Sequence, residues 1–173
     1  MRTINWYIKK GQLMEDKETK ELALRFLEKA KNNLVTMNSL FDLNNNSGAR
    51  KLLRIKENHE FYDWIVVCGY YAMYTAGLSL LAKIGYRTKN HTATLCVLEE
   101  FFVKKRILDQ DSLIILKTAM LHKKEIEKLS EARQKREIAQ YSVTKQTTKE
   151  IAEKIKIDAY EFIDKCEDIL NIL

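Results

Sequence analysis

From Trp64 to Ala82 the chain runs for nineteen residues, WIVVCGYYAMYTAGLSLLA, without a charge. A helix of that composition has to be screened from water on every side, either by lipid or by protein. The run is long enough to cross a bilayer, which takes about 20 apolar residues. Its tyrosines, however, stand in the middle, whereas interfacial aromatics belong at the borders of a span. Two glycines, Thr75 and Ser79 interrupt it further. The expectation is therefore a central helix wrapped by other helices, with no membrane as partner. The remaining composition agrees, because proline is absent, only five glycines occur, and 46% hydrophobic with 31% charged residues favours long amphipathic helices.

The wrapping helices are visible as 3–4 periodicity. In TKELALRFLEKAKNNLVTMNSLF, the residues Leu22, Ala23, Phe26, Leu27, Ala30, Leu34 and Met37 share one face. Asn44, Asn45, Asn46, Ser47 and Gly48 then break the pattern, and ARKLLRIK is either a short helical turn or loop. The central helix is expected from near His59 to Gly85, a glycine placed where a left-handed cap is wanted. Asn90 can cap a third helix to about Lys105. Asp109 or Asp111 opens a fourth, from about Ser112 to Tyr141, and Thr147 with Glu150 fits a capping box for the fifth. Residues 1–173 thus read as one domain, an all-α antiparallel bundle of about five helices. An N-terminal arm is expected at 1–17, with Thr3 to Lys10 either a short helix or irregular, and a polar loop at 42–58, and no strand-like alternation is evident.

The net charge of +6 is compatible with nucleic acid, an acidic partner or a soluble surface. Cys68, Cys96 and Cys166 are far apart and in apolar helical context, which disfavours zinc and points to a reducing, cytoplasmic setting. None of His59, His91 and His122 has a glutamate three residues before it, as a carboxylate-bridged metal bundle would want. Neither a phosphate-cradling glycine loop nor an arguable Ser-His-Asp set is present. Neither a metal nor a cofactor is therefore expected. On the central helix, Cys68, Ala72, Thr75, Ala76 and Ser79 lie along one side with Gly69 nearby, and small residues at that spacing would let a neighbour approach closely. Tyr70, Tyr71 and Tyr74 cluster there too, and buried phenols need polar partners.

Two segments carry a resemblance. YYAMYTAGLSLLAKIGYRTKNHTAT, Tyr70 to Thr94, and REIAQYSVTKQTTKEIAEKIKIDAYEFID, Arg136 to Asp164, together resemble HEPN-domain proteins. The likeness is to the small prokaryotic branch with a tyrosine-rich central helix, a Gly-Tyr-x-x-Lys-x-His linker and a late Arg-x-x-x-x-Tyr. The resemblance implies a HEPN-like bundle that forms homodimers. It also implies a link to ribonucleases or toxins paired with a minimal nucleotidyltransferase. Active relatives carry an arginine and a later histidine separated by a spacer of four to six residues, and work without metal. The histidine takes a proton from a ribose hydroxyl while arginine steadies charge on the phosphate.

The expected site follows from that match. Arg136 and His91 are the catalytic candidates, and Arg133, Arg136, Tyr141, Tyr71 and Arg87 are the candidates for holding RNA or a nucleotide. Yet the residues after Arg136 at the required spacing are Tyr141, Ser142 and Val143, and after Arg133 they are Ile138, Ala139 and Gln140. Tyrosine titrates near pH 10 and is a poor base at neutral pH. Arg54 and His59 satisfy the spacing but lie before the matching segments. The expectation is RNA or nucleotide binding with weak or absent cleavage. The alternative is a non-catalytic module that dimerises and binds a nucleotidyltransferase.

Overall fold

The computed structural model describes residues 2–136 and 147–173, apart from the side chains of 129–136. Its axis is α4 (Tyr62–Lys83), which meets the length and composition of a membrane span while 83% of its apolar window is buried inside the protein. Around it pack α2 (Ala23–Asn45), α6 (Gln110–Arg136) and α7 (Lys149–Ile172), with α5 (His91–Leu98) across one end. Leu27, Ala30, Leu34 and Met37 of α2 and Ile155, Ala159, Phe162 and Cys166 of α7 face it at helical spacing. The polar groups of α4 are satisfied largely within the helix. Thr75 Oγ1 donates to the carbonyls of Tyr71 (2.7 Å) and Ala72 (3.1 Å), and Ser79 Oγ to that of Ala76 (2.6 Å).

Small residues set how closely the shell approaches. A Cβ on Gly69 would lie 2.6 Å from Ile155 Cγ2 and 3.1 Å from Met37 Sδ, so this glycine is where α2 and α7 close on α4. Several other expectations hold. Gly85 ends α4 with φ +80°, the Asn90 side chain accepts from Ala93 N (2.9 Å), and Asp109 accepts from Ser112 N (2.7 Å) to open α6.

The structure differs from the sequence expectation in four places. The N-terminal arm is built into the fold. Helix α1 (Ile4–Lys9) is followed by β1 (Leu13–Glu15), which pairs antiparallel with β2 (Tyr86–Thr88), and Tyr7 and Leu13 are buried. Three-residue strands are too short to show alternation, which is why the sequence reads as all helix. Within 42–58, α2 continues to Asn45 and Asn46 caps α3 (Ser47–Leu52), so much of the expected polar loop is helical. The Arg50 guanidinium then ties the following segment by donating to the carbonyls of Lys56, Glu57 and His59. A π-helical turn over Glu99–Val103 extends α5. Finally, Thr148 and not Thr147 caps α7, accepting from Ile151 N, so Glu150 is one position early for a capping box.

Replacing Gly69 by alanine gains helix propensity of about 1 kcal/mol but forces a methyl against Ile155 and Met37. Gly69→Ala should lower stability by about 1–2 kcal/mol net, read as a fall in the denaturant midpoint at unchanged slope.

Candidate functional site

Of the buried polar groups on α4, Tyr70 reaches furthest from its own helix. Its ring is 1% exposed, and its hydroxyl is hydrogen-bonded to Nδ1 of His91, the first residue of α5. The Asn90 cap fixes where that helix starts and so where the imidazole emerges. The imidazole also stacks on Tyr74, with centroids 4.2 Å apart and planes at 27°. From the third side α6 contributes Lys123, 9% exposed, whose Nζ lies 5.3 Å from the centre of the Tyr71 ring and 2.5 Å from Glu127 Oε1. Cations over aromatic faces and paired with a carboxylate are stabilised in both ways.

The electrostatics assign states to these groups. Burial, with the charges of Tyr74 and Tyr71 nearby, pushes the Tyr70 phenol well above its ordinary 10.0, so it keeps its proton. Burial also raises Tyr74. For Lys123, burial opposes the charge, but hydrogen bonds to Glu127 and Tyr71 outweigh it and its pKa rises. For His91, burial and then the charges of Lys123 and Lys124 hold the pKa below 6.5, against an opposing pull from Glu127. His91 is therefore neutral at pH 7. A buried O–H needs an acceptor, and His91 Nδ1 is the one that Tyr70 meets among the described residues. The proton on His91 then sits on Nε2. The site thus offers an imidazole N–H and an ammonium beside aromatic faces, which suits an anion or a stacked base better than proton abstraction.

A family model for the HEPN domain matches residues 47–169, which includes α4, α5, α6, most of α7 and every residue of this cluster. The chain belongs to the HEPN family. No curated protein matches it. The HEPN match makes this a helical domain of nucleotide- and RNA-related type.

Within the HEPN domain, the structure joins two of the sequence candidates, Tyr71 and His91, both through Lys123. Arg87 lies elsewhere. It is exposed on β2, paired with Asp16 at 3.5 Å, and lines a cleft of about 400 Å³ with Gln12 and Lys89. Arg133 and Arg136 belong to the last turns of α6, and their side chains, like all of Tyr141, lie outside the described residues. Position 136 is roughly 14–20 Å further along the α6 axis than positions 123–127, at 1.5 Å per residue. Within one chain, then, the α6 backbone does not carry position 136 alongside His91. His59 sets its ring edge against Phe61, and Arg54 ends α3 with φ +55°. Among the described residues, no group of three or more His, Cys, Asp or Glu side chains could hold a metal ion.

Sequence reasoning missed Lys123, Lys124 and Glu127. One signal for Lys123 was available. Leu113, Leu116 and Ala119 mark the buried face of α6, and Lys123 continues that face as a lysine where packing alone would place an apolar residue.

Because the folded protein holds His91 below 6.5, the unfolded chain binds the proton more readily, and stability is lost as pH falls from about 6.5 through the lower folded value. His91→Gln should flatten that fall in denaturation curves taken between neutral and acid pH. In nitrogen NMR of the wild type, Nδ1 should give the unprotonated and Nε2 the protonated signal. The reverse pattern would return His91 to the role of base.

Proposed function

We propose that this HEPN protein binds RNA or a nucleotide, and that it cuts RNA weakly or not at all. One contact is made by His91, Tyr71, Lys123 and Lys124, and a second by Arg133, Arg136 and Tyr141. The carrying observation is the hydrogen bond from Tyr70 to His91 Nδ1, which leaves the imidazole as a donor beside Lys123. Donors and cations hold phosphate, while cleavage of a ribose phosphate needs a base as well. The spacing after Arg136 supports the same conclusion, since Tyr141, Ser142 and Val143 stand where active relatives place a histidine. The length of α6 between the two contacts is too great for one reacting phosphate and suits a strand of several nucleotides.

The resemblance to small prokaryotic members supports a homodimer and a place as the toxin-like partner of a minimal nucleotidyltransferase. A site using both His91 and Arg136 on one phosphate would draw the arginine from a second copy. Three cysteines, none in a disulfide, fit the cytoplasm.

Purified protein incubated with total RNA in chelator tests the reading. The wild type should retard RNA at low salt without cutting it. Arg136→Ala and His91→Ala should each weaken retention by about tenfold, and the affinity should fall steeply as salt is raised. Cleavage by the wild type that both variants lose would replace this reading with a metal-independent ribonuclease. If low salt gives no retention, RNA is not the ligand.

A further inference from the structure

Neighbouring residues of α6 look into different surroundings. Lys123 turns to the tyrosines of α4, while His122 turns to a groove that α6 forms with α7. We propose that this groove is the docking site for a basic, amphipathic helix of a partner protein.

The groove has a volume of about 600 Å³ and is walled by helix on both sides. It extends from Asp111 to His122 on α6 and from Glu150 to Glu161 on α7. Each wall is therefore about 16 Å long, or three helical turns. Ile115, Ile151 and Ile155 line it, and Ile114 stands at its edge 50% exposed. Leu121, about two turns from Ile114 along α6, is 58% exposed. A helix laid between two others meets them through apolar side chains at i, i+4 and i+7, which is the spacing such a trough accepts.

Charge selects among the possible occupants. The ionised side chains lining the groove are Asp111, Glu150, Asp158 and Glu161 against Lys154, with Lys165 from outside the lining paired to Glu161 at 2.7 Å, in a chain whose net charge is +6. Asp158 is 3% exposed and sits in the apolar stripe of α7, with Lys154 Nζ on its Oδ1 at 2.6 Å. With Asp158 matched by Lys154, the negative potential of the groove comes from Asp111 and Glu150, one at each end, which form no ion pair among the described residues. RNA is repelled by such a surface. A second copy docked across a two-fold axis would set these acids against the same acids, which is unfavourable. A helix with lysine or arginine beside its apolar stripe satisfies both the hydrocarbon and the charge, its long stems lying along the isoleucines.

The test uses the whole protein and a synthetic helical peptide of about four turns, with leucines at i, i+4 and i+7 and lysines flanking them. A second peptide carries glutamate in place of lysine. Fluorescence anisotropy should show the lysine peptide binding at least about tenfold more tightly than the glutamate peptide. Glu150→Lys and Ile114→Asp should each weaken the lysine peptide by about tenfold while the protein keeps its helical content by circular dichroism. Glu150 is fully exposed, so its variant keeps the test decisive should Ile114→Asp fail to fold. Equal affinity for the two peptides, variants that bind like the wild type, or no binding up to about 100 µM overturns the proposal. If Ile114→Asp instead turns a dimer into a monomer in light scattering, the occupant is a second copy and the proposal also falls.

Discussion

Everything in this fold is arranged around a helix that cannot meet water. Helix α4 has no charge from Trp64 to Ala82, and Ile65, Val66, Met73, Ala76, Leu80 and Leu81 are fully buried. At about 25 cal/mol per Å² of apolar area, covering such a helix is the largest single contribution to folding. Three long helices supply that cover, and Gly69 lets two of them come close enough to exclude voids. Burial on all sides also makes each polar group on α4 a constraint. Thr75 and Ser79 are short enough to bond back to their own helix. A tyrosine at position 70 is not, and its hydroxyl must find a partner outside. The candidate site follows from that requirement.

That requirement also explains how the site was partly legible in the sequence. The tyrosine cluster, the Asn90 cap and the Gly85 turn are local features, and reading them placed His91 at the start of a helix next to α4. The pairing of Tyr70 with His91 joins residues on different helices, and no local spacing announces it. Lys123 enters from α6 in the same way, and only its break in an apolar face betrays it. The bundle itself was readable because α2 and α7 keep strict 3–4 patterns over many turns. The sheet was not, since three residues per strand give no period, and the capping register of α7 was ambiguous because Thr147 and Thr148 are adjacent. Arg133, Arg136 and Tyr141 were singled out by motif alone, and motif spacing says nothing about where a helix carries its last turns relative to its middle.

The two faces of α6 carry opposite electrostatic characters. On one, Lys123 is held charged under aromatic rings, and with Lys124 it keeps His91 neutral. On the other, carboxylates surround isoleucines. Helix α6 thus separates a buried lysine beside aromatic rings from a groove lined by isoleucines and carboxylates.

The short sheet has a consequence beyond closing the N-terminus onto the bundle. Thr88 donates to the Gln12 carbonyl at 2.6 Å, and the Asn90 amide donates to the Gln12 side chain at 3.1 Å. The residue that caps α5, and through it the seat of the His91 ring, is therefore braced by Gln12, just ahead of β1. That brace lies outside the span matched by the family model, 47–169. The imidazole and the two tyrosines that hold it belong to the family's part of the chain, while the cap that starts its helix is tied to Gln12 of the preceding segment.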